Sequence, residues 1–415
     1  MYKLALLLLT PYALYYTLRR SLRDGGWRYL KQRLGMDLPA TLHRPLWTHC
    51  ASVGEVHAAA PLLNALHTRH PALPMLVTTN TPTGAQAARK RLPNTISHCY
   101  LPIDWAYAAR AFARRVRPRA AIVLETELWP QLFAHIAGSG VPIAIVNARL
   151  SPRSLNAPRW LRRIQRAALQ HVTAVLARND EDAQSFEALG ARPGTVQTIG
   201  NLKFAATQLD AAQPQRIVER PYWLAASTHS PEEQLCARVQ LANPQLPLLV
   251  IAPRYPDRGK ELAAALTKMG THVALRSRND SVSVSTQVYI ADTLGELDAL
   301  LAHAQLAFVG GSFAPRGGQN LLEAARHGCP VIVGPHMHNF ADETRRLLAA
   351  GALLQLDDPD ALQETIVALS ADSQRRADLR AALLRTMQSE AHVLERYVER
   401  LQQLWGDRLA LEAFE

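Results

Sequence analysis

Ser52-Val53-Gly54-Glu55 is the first stretch of the chain whose residue types and spacing could do chemistry. A hydroxyl followed three residues later by a carboxylate has the spacing of a capping box, in which serine caps a helix and glutamate reaches back. Capping is the ordinary role of such a pair. A carboxylate there also lies near the positive end of the helix dipole, which lowers its basicity. To serve as a general base it would need burial or a second carboxylate to raise its proton affinity again. Glu125-Thr126-Glu127-Leu128-Trp129-Pro130 offers more acid after an apolar run. One of its carboxylates either projects beyond a strand end or caps the helix expected to begin near Leu128. Lys203, within Gly200-Asn201-Leu202-Lys203-Phe204, is either solvated or directed at an anion.

The second half carries a different set. Pro253-Arg254, Leu294-Gly295-Glu296, and Gly310-Gly311-Ser312 together with Gly317-Gly318-Gln319-Asn320-Leu321-Leu322-Glu323, follow three successive apolar runs. Glycines let backbone amides approach a phosphate at a helix start, although tight turns need glycine as well. Asn320 and Glu323 are three apart and are expected to share a helix face, where a carboxylate could accept both hydroxyls of a ribose. Three such sites in one half point to a nucleotide. The acidic runs Asp180-Glu181-Asp182 and Asp357-Asp358-Pro359-Asp360 read as helix caps. His336 and His338 lack a spaced third ligand, so no metal is expected. Arg110, Arg114, Arg115, Arg117 and Arg119 come without an RNA-binding motif and read as a solvated helix face, so nucleic acid is not an expected partner.

These residues need elements to hold them. Short β-branched runs predict strands at Leu46–Cys50, Met75–Thr79, Ile96–Leu101, Ala121–Leu124, Ile143–Val146 and Thr173–Leu176, with helical stretches near 57–68, 105–117, 127–138 and 158–170. The alternation pauses over Gly200–Gln215. It resumes with Trp223–Ala226, Leu248–Ala252, Val288–Ile290, Leu306–Val309 and Val331–Val333, and the chain is helical after Asp372. Strand and helix in alternation imply a parallel sheet covered on both faces, and two consecutive Rossmann-like domains joined near residue 210. Such sheets bind ligands beyond the carboxyl ends of their strands, where the polar segments above fall.

With 48% hydrophobic residues in 415, the chain is neither disordered nor collagen-like. Cys50, Cys99, Cys236 and Cys329 lie too far apart for a zinc-site pattern and read as small buried hydrophobes. The net charge is +11, and residues 1–35 carry +6 of it: Lys3, Arg19, Arg20, Arg23, Arg28, Lys31 and Arg33 against Asp24. Leu4–Leu18 is an apolar run shorter than the roughly 20 residues of a comfortable transmembrane helix. Its tyrosines, Trp27 and basic flank suit a segment that lies on an anionic membrane or barely spans it; the alternative is a soluble helix packed on the body of the protein.

The motifs, taken together, resemble the 3-deoxy-D-manno-octulosonic acid (Kdo) transferases of lipopolysaccharide synthesis. The likeness rests on Ser52–Glu55, Thr78–Gly84, Tyr100–Asp104, Glu125–Pro130, Asn147–Ser151, Gly200–Phe204, Ser227-Thr228-His229, Pro253-Arg254, Gly310–Ser312 and Gly317–Glu323, in the family's order. It implies an α/β chain of the GT-B glycosyltransferase fold, two Rossmann-like domains facing a cleft, with a membrane-associated N-terminal helix. The expected division is a membrane-associated segment over 1–35, an acceptor-binding domain over 36–208, a CMP-Kdo-binding domain over 209–385 and a C-terminal helix over 386–415 packing back on the first domain. The implied reaction moves Kdo from CMP-Kdo, with inversion, to a lipid A precursor (lipid IVA) at the cytoplasmic face of the inner membrane, without cofactor or metal. By the same likeness Glu55 is the general base, overriding the capping preference, and Glu125 and Lys203 stabilise the transition state. Pro253, Arg254, Leu294, Gly295, Glu296, Asn320, Leu321, Leu322 and Glu323 contact CMP. Gln319 and Tyr255 stand where the family usually has histidine. The rival readings are another GT-B enzyme, such as a UDP-sugar transferase or nonhydrolysing epimerase, and a non-catalytic nucleotide binder at a membrane surface.

Overall fold

The computed structural model describes residues 2–39, 44–150, 152–205 and 214–409. The chain divides into two compact units, Met1–Ala206 with His392–Glu415, and Thr207–Ala391. The junction expected near residue 210 lies outside the described residues.

The first unit is built on a seven-stranded parallel sheet: β1 (Leu46–His49), β2 (Met75–Thr79), β3 (Ser97–Tyr100), β4 (Ala120–Leu124), β5 (Ile143–Ala148), β6 (Ala174–Ala177) and β7 (Val196–Thr198), in the order β3-β2-β1-β4-β5-β6-β7. Both faces are covered, so the strands read as continuous apolar runs rather than alternating ones. Leu46, Ile122 and Leu176 point into one core, which the C-terminal helix Val393–Leu409 helps to close. Trp47, Val123 and Val175 point into the other. The strand order reverses between β1 and β4, and ligands of open α/β sheets gather at that reversal.

The second unit repeats the construction with β8 (Tyr222–Thr228), β9 (Leu248–Pro253), β10 (Val273–Leu275), β11 (Val288–Ile290), β12 (Ala307–Val309), β13 (Val331–Val333) and β14 (Leu353–Gln355), all parallel, in the order β10-β11-β9-β8-β12-β13-β14. Here the reversal falls between β8 and β12. Three strands absent from the sequence reading, β7, β10 and β14, are three-residue edge strands. Each has one neighbour and too short an apolar run to stand out.

The N-terminal segment forms the helix Tyr2–Arg20, a π-type turn Ser21–Gly25 and the helix Gly26–Arg33. It is tied to the first unit. Trp105 donates its indole N–H to Thr10 Oγ1 (3.1 Å), Arg33 donates to Asn80 Oδ1 (2.9 Å), and Gln32 Oε1 accepts from the Tyr100 amide (2.9 Å). Among the described residues, no helix is long and apolar enough to cross a membrane.

Candidate active site

Glu55 follows β1 in the first turn of the helix Val53–Arg69. Ser52 has extended backbone at the N-cap, and its Oγ accepts from the Glu55 amide (3.4 Å) while donating to Glu55 Oε1 (3.0 Å). Glu55 Oε2 accepts from the Ala51 amide (2.7 Å). The reciprocal cap is therefore formed, with the carboxylate folded back over the helix start. Burial pushes the Glu55 carboxyl up to about 8, with Glu125 and then Glu127 adding to the rise; the Ala51 amide and Ser52 hydroxyl act in the opposite direction. Burial or a second carboxylate was needed to raise the proton affinity of a capping carboxylate, and both are present here.

Glu125 comes directly after β4, across the strand-order reversal from β1. Its backbone has φ of 57°, a left-handed conformation uncommon for a residue with a Cβ. Its Oε2 lies 3.7 Å from Arg149 Nε, and Glu127 Oε2 lies 3.8 Å from Nε2 of the fully buried His49. The helix expected near Leu128 begins at Pro130 and is not capped by these glutamates. Asp104 fills that role, its carboxylate accepting from the amides of Gln131 (3.0 Å) and Leu132 (2.8 Å). Glu125 and Glu127 are left facing the strand ends. Asp104 went unassigned in the sequence because it caps a helix 26 residues downstream, beyond any local pattern.

Lys203, partly buried, lies on the short helix Leu202–Ala205, which packs against both Val53–Arg69 and Val393–Leu409. Buried groups fix its backbone. Asn147 Oδ1 accepts from the Leu202 amide (3.0 Å), and Tyr397 donates to the Gly200 carbonyl (2.9 Å) while accepting from the Asn147 amide (3.2 Å).

In the second unit, Pro253 ends β9 and is buried, whereas the Arg254 side chain is exposed, its guanidinium 5.6 Å from the centre of the Tyr255 ring. The Arg254 amide donates to the Thr228 carbonyl (3.0 Å). Leu294 is exposed, Gly295 takes φ of 90°, and Glu296 pairs with Arg276 (2.7 Å) and accepts from the Thr293 hydroxyl. The Arg276 guanidinium, first, holds the Glu296 carboxyl below the usual range.

Asn320 and Glu323 are brought together, but not on one helix face. The helix spans Leu322–Arg326, so Asn320 precedes it; Asn320 Nδ2 donates to Glu323 Oε1 (3.1 Å) and its Oδ1 accepts from the Leu322 amide (3.2 Å). Leu321 and Leu322 are fully buried and anchor the segment.

The glycine-rich loop also departs from expectation. The amides of Gly311, Ser312, Phe313 and Ala314 all donate to the buried carboxylate of Glu232, and those of Gly318 and Gln319 donate to the carbonyls of Gly311 and Gly310. They are not open to a phosphate. Glu232, missed in the sequence, has a signal there: like Glu55, it follows the first strand of its unit within the first turn of a helix. His229, also at the end of β8, contacts both residues that depart from the family. Its Nε2 lies 3.2 Å from Gln319 Nε2, and its ring meets Tyr255 edge-on at 5.6 Å.

Comparison with known proteins bears on the family and the fold. The family described as 3-deoxy-D-manno-octulosonic-acid transferase (kdotransferase) matches residues 28–206. The 3-deoxy-D-manno-octulosonic acid transferase of Bordetella pertussis is 36% identical, over 98% of this chain and 99% of its own. That of Haemophilus influenzae is 31% identical, over 96% and 97%. Among solved structures, the UDP-GlcNAc 2-epimerase of Neisseria meningitidis matches with a TM-score of 0.59 at 14% identity, covering 86% of this chain and 100% of that one. A kitacinnamycin glycotransferase matches at 0.55 and 14%, covering 87% and 99%. These two likenesses bear on fold alone, and with the two parallel-sheet units they make it GT-B. With relatives this similar along nearly its whole length, the chain belongs to the 3-deoxy-D-manno-octulosonic acid transferase family, glycosyltransferases of lipopolysaccharide biosynthesis.

Proposed function

We propose that the chain transfers Kdo with inversion from CMP-Kdo to a lipid A precursor, lipid IVA, and that Glu55 is the general base. The observation that carries this reading is the buried Glu55 carboxyl, raised to about 8 beside Glu125 and Glu127 at the strand-order reversal of the first unit. In its charged form it takes the proton of the acceptor hydroxyl as that oxygen attacks the ketosidic carbon. The C–O bond to CMP breaks and CMP leaves with the bonding electrons. Glu125 and Lys203 act on the charge that develops in the transition state. Arg254 meets the anionic part of the nucleotide, and Glu323, held by Asn320, accepts from the ribose hydroxyls. Pro253, Leu321 and Leu322 shape the backbone around them, and Leu294-Gly295-Glu296 completes the nucleotide contact.

The acceptor is a lipid, and the N-terminal segment supports docking at an anionic inner-membrane surface from the cytoplasmic face. Leu8, Leu9, Tyr12, Tyr15, Leu22 and Trp27 are each more than half exposed, with Arg19, Arg20 and Arg23 among them. Apolar side chains interleaved with arginine suit a helix lying in the headgroup region.

Purified protein incubated with CMP-Kdo and lipid IVA, followed by mass spectrometry, tests the reading. The expected product is heavier by one or more Kdo units. Turnover of a UDP-sugar instead, with CMP-Kdo untouched, would favour the epimerase-like rival. Binding of CMP without product would favour the non-catalytic one.

A further inference from the structure

Glu232 is 1% exposed, and its carboxylate accepts five backbone N–H groups from two separate segments. Oε2 accepts from His229 (2.9 Å) and Gly311 (2.7 Å), and Oε1 from Ser312 (3.0 Å), Phe313 (3.0 Å) and Ala314 (3.1 Å). Successive amides turned toward one point make an anion-binding nest. Here the protein supplies the anion itself. The close approach depends on glycine, because a Cβ at Gly310 would stand 2.6 Å from Thr228 Cα and 2.8 Å from Glu232 Oε2.

The two segments that Glu232 joins follow β8 and β12, the strands on either side of the reversal in the second unit. The loop after β12 passes its geometry onward. The Gly318 amide donates to the Gly311 carbonyl (2.8 Å) and the Gln319 amide to the Gly310 carbonyl (3.2 Å), directly before Asn320 and Glu323. From the other side, Gln319 reaches His229.

We propose that Glu232 is a positioning residue for donor recognition: its carboxylate fills the loop nest and thereby sets His229, Gln319 and the Asn320–Glu323 segment against the nucleotide. This rests on the assignment of the CMP-Kdo site to the second unit. It explains how a glycine-rich loop whose amides at Gly311–Ala314, Gly318 and Gln319 are already occupied still belongs to the donor site. The donor's anionic groups are met by side chains, and the loop serves to aim them.

Glu232→Gln tests the role, because it removes the charge and turns two N–H donors toward amides that are themselves donors. Glu233→Gln is the control. Glu233 is equally buried but bonds Arg258 and Thr228 and does not touch the loop. Wild-type turnover of CMP-Kdo is measured first, and its absence overturns the donor assignment itself. Given turnover, Glu232→Gln is expected to raise the donor KM by about tenfold, the scale of one lost charge-assisted hydrogen bond, with the acceptor KM and kcat unmoved. Glu233→Gln is expected to lower the melting temperature without moving the donor KM. An unchanged donor KM in folded Glu232→Gln, or an equal rise in both variants, overturns the positioning role. Should Glu232→Gln not fold, Glu232→Asp, which withdraws the carboxylate by one methylene, is read on the same pair of KM values with the same two outcomes.

Discussion

Glu55 is a helix-capping residue that the proposed reaction also uses as its base. A capping carboxylate at the surface is a weak base, but the same carboxylate buried beside Glu125 and Glu127 binds a proton at about 8. Only the charged form can accept a proton from the acceptor. The kcat/KM of transfer is therefore expected to rise with pH through an apparent pKa near that value, and a flat profile between pH 6 and about pH 9 would remove Glu55 as the base. Stability carries the opposite sign. A carboxyl whose folded-state pKa is raised stabilises the fold fully below its unfolded value of 4.5, and that contribution is lost as pH rises through about 8. Glu55→Gln, which cannot ionise, is expected to melt above wild type at alkaline pH and to gain nothing at pH 4, as differential scanning fluorimetry across pH would show. In the second unit, Glu323 is the corresponding test of the nucleotide site. The hydrogen bonds proposed from it to ribose hydroxyls would be worth about 1.5–3 kcal/mol, so Glu323→Ala is expected to weaken CMP binding by roughly ten- to a hundredfold in calorimetric titration. Equal affinity in the two proteins would reject the ribose role.

Elements matter because they place these residues without touching substrate. Tyr397, on the C-terminal helix Val393–Leu409, is fully buried and links the Asn147 amide to the carbonyls of Gly200 and Leu176. Asn147 in turn caps the short helix of Lys203. Tyr397→Phe leaves the Asn147 amide without that partner, and urea unfolding is expected to show a loss of about 1–3 kcal/mol. A loss of kcat beyond the fall in stability would mark the helix as part of what positions Lys203. The central strands of both units were legible in the sequence because strands buried on two faces must be apolar throughout, as Ile122-Val123-Leu124 and Leu249-Val250-Ile251 are. Edge strands such as Val196–Thr198 carry half that constraint and were missed. The strand-end position of Glu55 and Glu125 was legible for the same reason. What joins them to their surroundings was not, since Asp104 with Gln131, Tyr397 with Gly200 and Glu232 with Gly311 pair residues far apart in sequence. Asn320 was misplaced onto a helix because its side chain, which bonds the Leu322 amide, ends the loop rather than extending the helix.

At the scale of the molecule, each unit places an acid just after its first strand, beside the reversal of strand order. In the first unit Glu55 is proposed to meet substrate, and in the second Glu232 is consumed by the glycine-rich loop. The N-terminal helices are part of the first unit rather than a detachable tail, because Gln32 and Arg33 bond the ends of β2 and β3. Membrane docking is therefore better tested by substitution than by deletion. Changing the exposed Leu8, Tyr12 and Leu22 to aspartate is expected to abolish flotation with anionic vesicles while sparing transfer to detergent-dispersed acceptor, and undiminished flotation would place the docking face elsewhere. The account as a whole rests on Glu55 removing the acceptor's proton during transfer of Kdo. Its most direct test is product formation from CMP-Kdo and lipid IVA by Glu55→Gln, measured beside wild type with CMP affinity taken on the same samples. The expected result is loss of transfer with CMP affinity retained; near-normal turnover by Glu55→Gln would contradict it.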